Sequence, residues 1–261
     1  MKKMLVFDLD DTLLTSKKTI TPCSVQAIRA CKAKGMFIGY ITARMRPFKD
    51  EIFFIEKYNL PCDFIAYYNG AEIYVGDTSI ESNVIAYDNA MKIIRGLNKL
   101  YPNARISVIH EPWSYATSSG ENWNIYTREK IKCSILELSR YDVQRIIVRF
   151  DKDDNKNKLS DFMTEESIFF VNADGSAMII NKNATKENAL KKAAEYFDIK
   201  LCDIIAFGDD VNDANMLNIA GIGVAVNNAV DTVKKTADYI TETNDNEGIS
   251  LWINKYLLNK K

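Results

Sequence analysis

A short apolar run, Met4-Leu5-Val6-Phe7, is followed at once by Asp8-Leu9-Asp10-Asp11-Thr12-Leu13-Leu14. A run of this kind reads as a buried strand, of the type that parallel α/β sheets cover on both faces. Three carboxylates at the C-terminal end of such a strand are costly to pack without a partner. Ligands of open α/β sheets sit outside the carboxyl ends of the strands. The acids therefore mark this strand end as a candidate site. The plainer alternative is that Asp10 or Asp11 starts a turn or caps a helix.

The chain that follows tests this. Thr21-Pro22 predicts an N-cap with Pro at the first helical position, and the helix should run to Lys34 and stop at Gly35. A strand follows over Met36 to Ile41, ending at Thr42-Ala43-Arg44, then a helix over 47–58. A third strand over Phe64 to Tyr68 closes on Asn69-Gly70, first of all a turn signal, with a hairpin partner over Glu72 to Val75. This βαβαβ order predicts a parallel sheet.

The pattern then changes. Asp88 is expected to cap a helix reaching Leu100, and strand-like runs follow at Arg105 to Ile109, Trp113 to Thr117, Asn124 to Tyr126 and Arg145 to Phe150. A helix over Lys158 to Glu165 and a hairpin around Asp174-Gly175 complete this stretch. Such a run fits an α+β domain inserted into the α/β one, over residues 83–183. Alternation resumes with a helix from Thr185, then a strand over Asp203 to Phe207 ending in Gly208-Asp209-Asp210-Val211-Asn212-Asp213. Shorter elements lead to a final helix over Glu247 to Leu258, so residues 1–82 and 184–261 form the core.

Composition narrows the function. Of 261 residues, 47% are hydrophobic, enough for a large core, and Lys+Arg at 34 against Asp+Glu at 35 points to neither nucleic acid nor an anionic membrane. No apolar run reaches the roughly 18–20 residues of a membrane span, and the stretch before Asp8 is too short for a signal peptide. Five scattered cysteines form no Cys-x-x-Cys pair, so reduced thiols and a cytoplasmic setting are expected. A single histidine, His110, rules out a multi-histidine metal site, and a bound metal should be a hard cation on oxygen ligands.

Three strands thus end in polar residues: Asp8/Asp10, Thr42 and Asp209/Asp213. If the strands are parallel, one sheet edge gathers up to four carboxylates, which need a cation to stay ionised together. Thr185-Lys186 at a helix start can bring an ammonium group and backbone N–H groups to the same edge. A divalent cation, a lysine, a hydroxyl and a helix N-terminus make a phosphate site, and an aspartate there can serve as a nucleophile.

In order and strand-end placement, Asp8-Leu9-Asp10-Asp11-Thr12, Thr42, Lys186 and Gly208-Asp209-Asp210-Val211-Asn212-Asp213 resemble the four-motif signature of the haloacid dehalogenase-like (HAD) phosphatase superfamily. The insert is similar to the large cap of the Cof-type branch. The resemblance implies a Rossmann-like α/β core with an inserted α+β cap that sets substrate specificity. It implies a Mg²⁺-dependent phosphatase acting on a small phosphomonoester, a sugar phosphate or cofactor phosphate. Asp8 would form an aspartyl-phosphate and Asp10 would act as acid, then base. Mg²⁺ would be held by Asp8, the Asp10 carbonyl and Asp209, with Asp213 close by or acting through water. Thr42, Ala43, Arg44, Lys186 and Asn212 would bind substrate or phosphate, and Asp11 keeps only a capping role. The expected partner is a small phosphorylated molecule, with no nucleic acid or membrane, and the chain a monomer or weak homodimer.

Each residue has a plainer reading. Thr42 can cap a helix, Lys186 can be solvated, Asp213 can be exposed, and Arg44 can be in a surface ion pair. Lys182 is an alternative to Lys186, and His110, Trp113, Trp123 and Tyr126 read as structural. Ala43 and Glu187 stand where relatives often have Gly. A phosphosugar mutase, or a phosphometabolite-binding protein without turnover, are the competing functions. Arg145 and Arg149 have the even spacing that puts both on one face of a strand.

Overall fold

The opening strand, β1 (Met4–Phe7), is fully buried along its length. Leu9–Leu13 then coils into a wide turn, closed by the Leu14 N–H donating to the Leu9 carbonyl (2.7 Å). α1 (Pro22–Ala33) starts as Thr21-Pro22 predicts, with Thr21 Oγ1 accepting from the Ser24 N–H at 3.2 Å. Its buried Ser24, Ala27, Ile28 and Cys31 follow the spacing of one helix face. β2 (Phe37–Ile41), α2 (Phe54–Lys57), β3 (Phe64–Tyr67), β4 (Glu72–Val75) and β5 (Thr78–Ser82) follow. β5 is a strand that the pattern did not predict; it is a partly exposed edge strand paired only to β4. The computed structural model describes residues 3–47, 54–110, 114–119, 122–126, 142–151, 156–171 and 175–259. Much of the helix expected over 47–58 thus lies outside the described residues, as do Trp113 and the side chains of His110, Trp123 and Tyr126.

The chain divides into two units, Met1–Ser82 with Thr185–Lys261, and Asn83–Ala184. The second comprises α3 (Tyr87–Leu100), β6 (Arg105–His110), β7 (Ser114–Ser119), β8 (Asn122–Tyr126), β9 (Arg145–Arg149), β10 (Ser167–Val171) and β11 (Ala177–Asn181). Its strands pair antiparallel in the order β10-β11-β9-β6-β7-β8. Ile93, Ile94 and Leu97 of α3 share a core with Ile106, Val108, Ile146, Val148 and Ile179 of the sheet. Asp88 is not the cap of α3. The helix starts after Ala86, and the N–H groups of Ala86 and Tyr87 donate to the carboxylates of Glu166 and Asp142. The helix expected over Lys158 to Glu165 is a tighter 3-10 helix, Lys156–Phe162.

Back in the first unit come α4 (Lys186–Phe197), β12 (Ile204–Gly208), α5 (Ala214–Ile219), β13 (Ile222–Ala225), α6 (Asp231–Thr236), β14 (Tyr239–Ile240) and α7 (Gly248–Ile253). The final helix expected to Leu258 is regular only to Ile253 and widens over Asn254–Leu258. The sheet order is β14-β13-β12-β1-β2-β3-β4-β5, parallel from β14 to β3 and antiparallel over the β3-β4-β5 edge. From β1 the chain builds outward through β2 and β3; after the insert it builds the other way from β12. The order therefore reverses between β1 and β12, and ligands of such sheets bind outside the carboxyl ends at a reversal of this kind. The backbone register continues past β1, with the Asp8 N–H donating to the Phe207 carbonyl at 3.0 Å. Among the described residues no helix is long and apolar enough to cross a membrane.

Gly39 of β2 lies opposite Phe64 of β3, whose ring occupies the space a side chain would need: an added Cβ would fall 1.9 Å from the ring. Overpacking of this kind costs about 1–3 kcal/mol. Gly39→Ala should therefore lower the thermal midpoint by roughly 2–10 °C. Calorimetry checks this; an unchanged midpoint would mean that the ring yields freely.

Candidate active site

The ends of β1 and β12 bring the predicted acids together. Asp8 and Asp213 are buried and Asp209 is half-buried, and their carboxylate oxygens lie within 4.8 Å of one another. Lys186, in the first turn of α4, is only 3% exposed. Its ammonium donates to Asp8 Oδ1 at 2.5 Å and to Asp213 Oδ1 at 2.7 Å. The solvated reading of Lys186 and the exposed reading of Asp213 therefore fail, while the alternative Lys182 is exposed. α4 is capped by Thr185, whose hydroxyl accepts from the Asn188 N–H.

Asp213 is held from both sides. Its Oδ2 accepts from the N–H groups of Asp209 and Asp210, each at 3.1 Å, and the Asp210 carboxylate caps the turn in return. Thr12 Oγ1 donates to Asp209 Oδ1 at 2.5 Å. Thr12 was part of the motif but had no role from sequence; its contact spans 197 positions, and the only local signal was a buried hydroxyl two residues after Asp10.

Asp10 lies in a different environment. Arg44 donates to it through two nitrogens, each at 2.7 Å, and Lys18 Nζ lies 3.1 Å from it. Lys18 carried no signal in the sequence beyond a polar loop. Asp11 does not cap a helix: it sits at φ +62°, with its carboxylate accepting from Lys18 and its carbonyl from Asn228 Nδ2. Thr42 is buried and caps no helix; its hydroxyl accepts from the Arg44 N–H at 3.0 Å, leaving its own proton free to be donated. Ala43 is half-buried in the same loop. Asn212 is exposed and donates to Asn69 Oδ1 at 3.1 Å.

The electrostatics divide accordingly. Burial pushes the Asp8 carboxyl up, against the pull of Lys186 and with the push of Asp213 and Asp209. Burial also works against the Lys186 charge, but Asp213 and Asp8 outweigh it, so the ammonium is held more firmly than usual. Burial raises Asp209 to about 6, with Thr12 opposing and Asp213 adding to the rise. Partial burial would raise Asp10 too, but the hydrogen bonds and charges of Arg44 and Lys18 outweigh it and bring it below its ordinary value. Three carboxylates around one ammonium leave two uncompensated charges when ionised. An all-oxygen triad with that charge fits a hard divalent cation.

The sequence matches the family model of haloacid dehalogenase-like hydrolases over residues 5–253. The chain belongs to the haloacid dehalogenase-like hydrolases. Among its relatives is the 5-amino-6-(5-phospho-D-ribitylamino)uracil phosphatase YcsE of Bacillus subtilis, 28% identical over 257 residues, 98% of this chain and 96% of that protein. Another, YitU of the same organism, carries the same enzyme name and is 26% identical over 97% of each chain. A solved structure from Thermotoga maritima superposes with a TM-score of 0.81 at 25% identity, over 98% of this chain and 97% of that one. A subclass IIB sugar phosphatase of the same superfamily gives 0.80 at 24% identity, covering 97% and 98%, which speaks to the fold.

In this hydrolase the raised Asp209 and Asp8 carboxyls have a measurable consequence. An acid whose native pKa exceeds its unfolded value holds extra protons when folded. The metal-free protein should therefore gain stability as pH falls from about 7 toward about 4, through the native Asp209 value near 6 and down to the unfolded value near 4. A divalent cation competes for the same oxygens, so its stabilisation should be large at pH 7 and mostly lost at pH 5. Thermal midpoints in chelator and in millimolar MgCl₂ at the two pH values test this; equal stabilisation at both would contradict the assignment of these acids to a cation.

Proposed function

We propose that this hydrolase is a Mg²⁺-dependent phosphatase that cleaves small phosphomonoesters through an aspartyl-phosphate on Asp8. The observation that carries the reading is the buried Asp8 carboxylate, fixed at 2.5 Å by Lys186 beside a second and third acid at the point where the strand order reverses. Such a group is anchored, surrounded by cation-holding oxygens, and set where phosphate would arrive. Mg²⁺ held by Asp8, the Asp10 backbone carbonyl and Asp209, with Asp213 beside them, would offset the charge of nucleophile and phosphate together.

The chain's own groups then divide the work. A carboxylate oxygen of Asp8 forms a bond to phosphorus as the ester P–O bond breaks, and the departing alkoxide takes the proton of Asp10. Water next attacks phosphorus and gives its proton to Asp10; the Asp8–phosphorus bond breaks and phosphate leaves. Thr42 donates its hydroxyl proton to one phosphoryl oxygen and Lys186 neutralises another, with Asn212 at the rim. Ala43 and Arg44 belong to the same phosphate loop. Protonation of Asp10 requires the Arg44 fork to leave it, and the anionic oxygens of the substrate compete for that guanidinium.

Residues 1–82 and 184–261 serve as the catalytic core in this reading, and residues 83–183 as the cap that selects the substrate. Two relatives named for 5-amino-6-(5-phospho-D-ribitylamino)uracil put that phosphoester first in a panel with sugar phosphates and other cofactor phosphates. The free cysteines among the described residues fit a cytoplasmic protein.

Asp8→Asn removes the nucleophile and keeps the size of the side chain. Release of inorganic phosphate from the best panel substrate should fall by more than about a thousandfold, with the circular dichroism spectrum unchanged. Undiminished turnover in that variant would overturn the mechanism, and stoichiometric transfer between sugar positions without phosphate release would favour a mutase instead.

A further inference from the structure

The turn after β3 is strained in a way that its length alone does not require. Tyr68, Asn69 and Gly70 all have positive φ, at +54°, +62° and +108°. All three are buried. Asparagine is among the few residues that enter this region readily, while a bulky tyrosine there is an outlier. Strain of this sort persists only where the surroundings over-determine the backbone, and it concentrates at functional sites.

The surroundings here are three of the segments that build the candidate site. The Tyr68 N–H donates to the Arg44 carbonyl at 3.0 Å, and the Asn69 N–H to the Thr42 carbonyl at 2.8 Å. Both bonds stitch the turn to the loop that carries the Thr42 hydroxyl. Gly70 packs against the start of α4, where a Cβ would lie 2.8 Å from the Thr185 carbonyl oxygen, one residue before Lys186. On the third side, the Asn69 side chain receives the hydrogen bond of Asn212. Asn69 is 4% exposed and Asn212 is exposed, so a buried amide in a positive-φ turn accepts from an outer, exposed one. The left-handed backbone aims the Asn69 side chain at Asn212 while its N–H remains on Thr42.

We propose that Asn69 is a positioning residue for phosphate binding: it orients Asn212 through the side-chain bond and sets the Thr42 loop through its backbone. This rests on the phosphatase reading above, in which Asn212 and Thr42 face the phosphate. Asn69 touches no reacting atom in this role. Its side-chain contribution runs through Asn212 and disappears when Asn212 is removed.

The test is a double-mutant cycle on the full chain with Mg²⁺ present, using Asn69→Gly and Asn212→Ala. Glycine adopts the positive φ without strain, so Asn69→Gly removes the side chain and keeps the turn. Losing one oriented hydrogen bond should lower kcat/KM roughly 3–10-fold in Asn69→Gly, with a near-native thermal midpoint. In the Asn212→Ala background the same change should have no further effect. A structural role alone would give multiplied losses. Multiplied losses, or unchanged kcat/KM in Asn69→Gly, would overturn the proposal. If the native protein hydrolyses nothing in the panel, the phosphatase reading fails by itself, and the cycle is read through inorganic phosphate affinity by calorimetry, where the same non-additivity decides Asn69. A native protein that neither turns over nor binds phosphate overturns both.

Discussion

Lys186 places its ammonium between Asp8 at 2.5 Å and Asp213 at 2.7 Å, and all three groups are removed from solvent. None of the three is tolerable there alone. An unpaired buried charge is strongly destabilising, by about 3–5 kcal/mol when one partner of a buried pair is removed. The contact therefore ties α4 to the ends of β1 and β12, across 178 and 27 positions of sequence. Yet it does not close the charge balance. Asp209 adds a third carboxylate whose proton is held up to about 6, and the three acids together could hold a cation.

The sheet explains why these groups meet. A parallel strand delivers its C-terminal residues to one edge, and the reversal of order between β1 and β12 opens that edge. One residue before Asp8, the Phe7 ring packs against those of Phe207 and Tyr40 on the neighbouring strands, all three wholly buried.

What could be read from sequence was what is local. Thr21-Pro22 capped α1, Gly35 ended it, and apolar runs marked strands at the right places, because caps and periodicity act within a turn or two. The three polar strand ends were legible as lying on one sheet edge because parallel topology alone brings them there. The errors have a common cause. Asp88 was the best local cap for α3, but Glu166 and Asp142 satisfy the helix start from distances of 80 and 55 residues. Asp11 matched a cap by type, yet Leu9–Leu13 turns too widely to use one, and Asn228 holds its carbonyl from 217 residues away. Thr12 and Asn69 meet hydrogen-bond partners 197 and 143 positions distant, which no window of sequence contains.

The four carboxylates end in two environments, and the division is the reverse of what the proposed chemistry needs during turnover. Asp8, the proposed nucleophile, is pushed toward its neutral form by burial, while Asp10, the proposed proton carrier, is held toward its ionised form by Arg44 and Lys18. Each setting would change with a separate binding event. A cation at the triad favours the Asp8 carboxylate, and a phosphoester that draws Arg44 away lets Asp10 take up its proton. In the proposed mechanism, then, the two acids would reach their working states only with cation and substrate both bound. The difference between the two acids is one of surroundings, since they are the same residue type two positions apart on one chain.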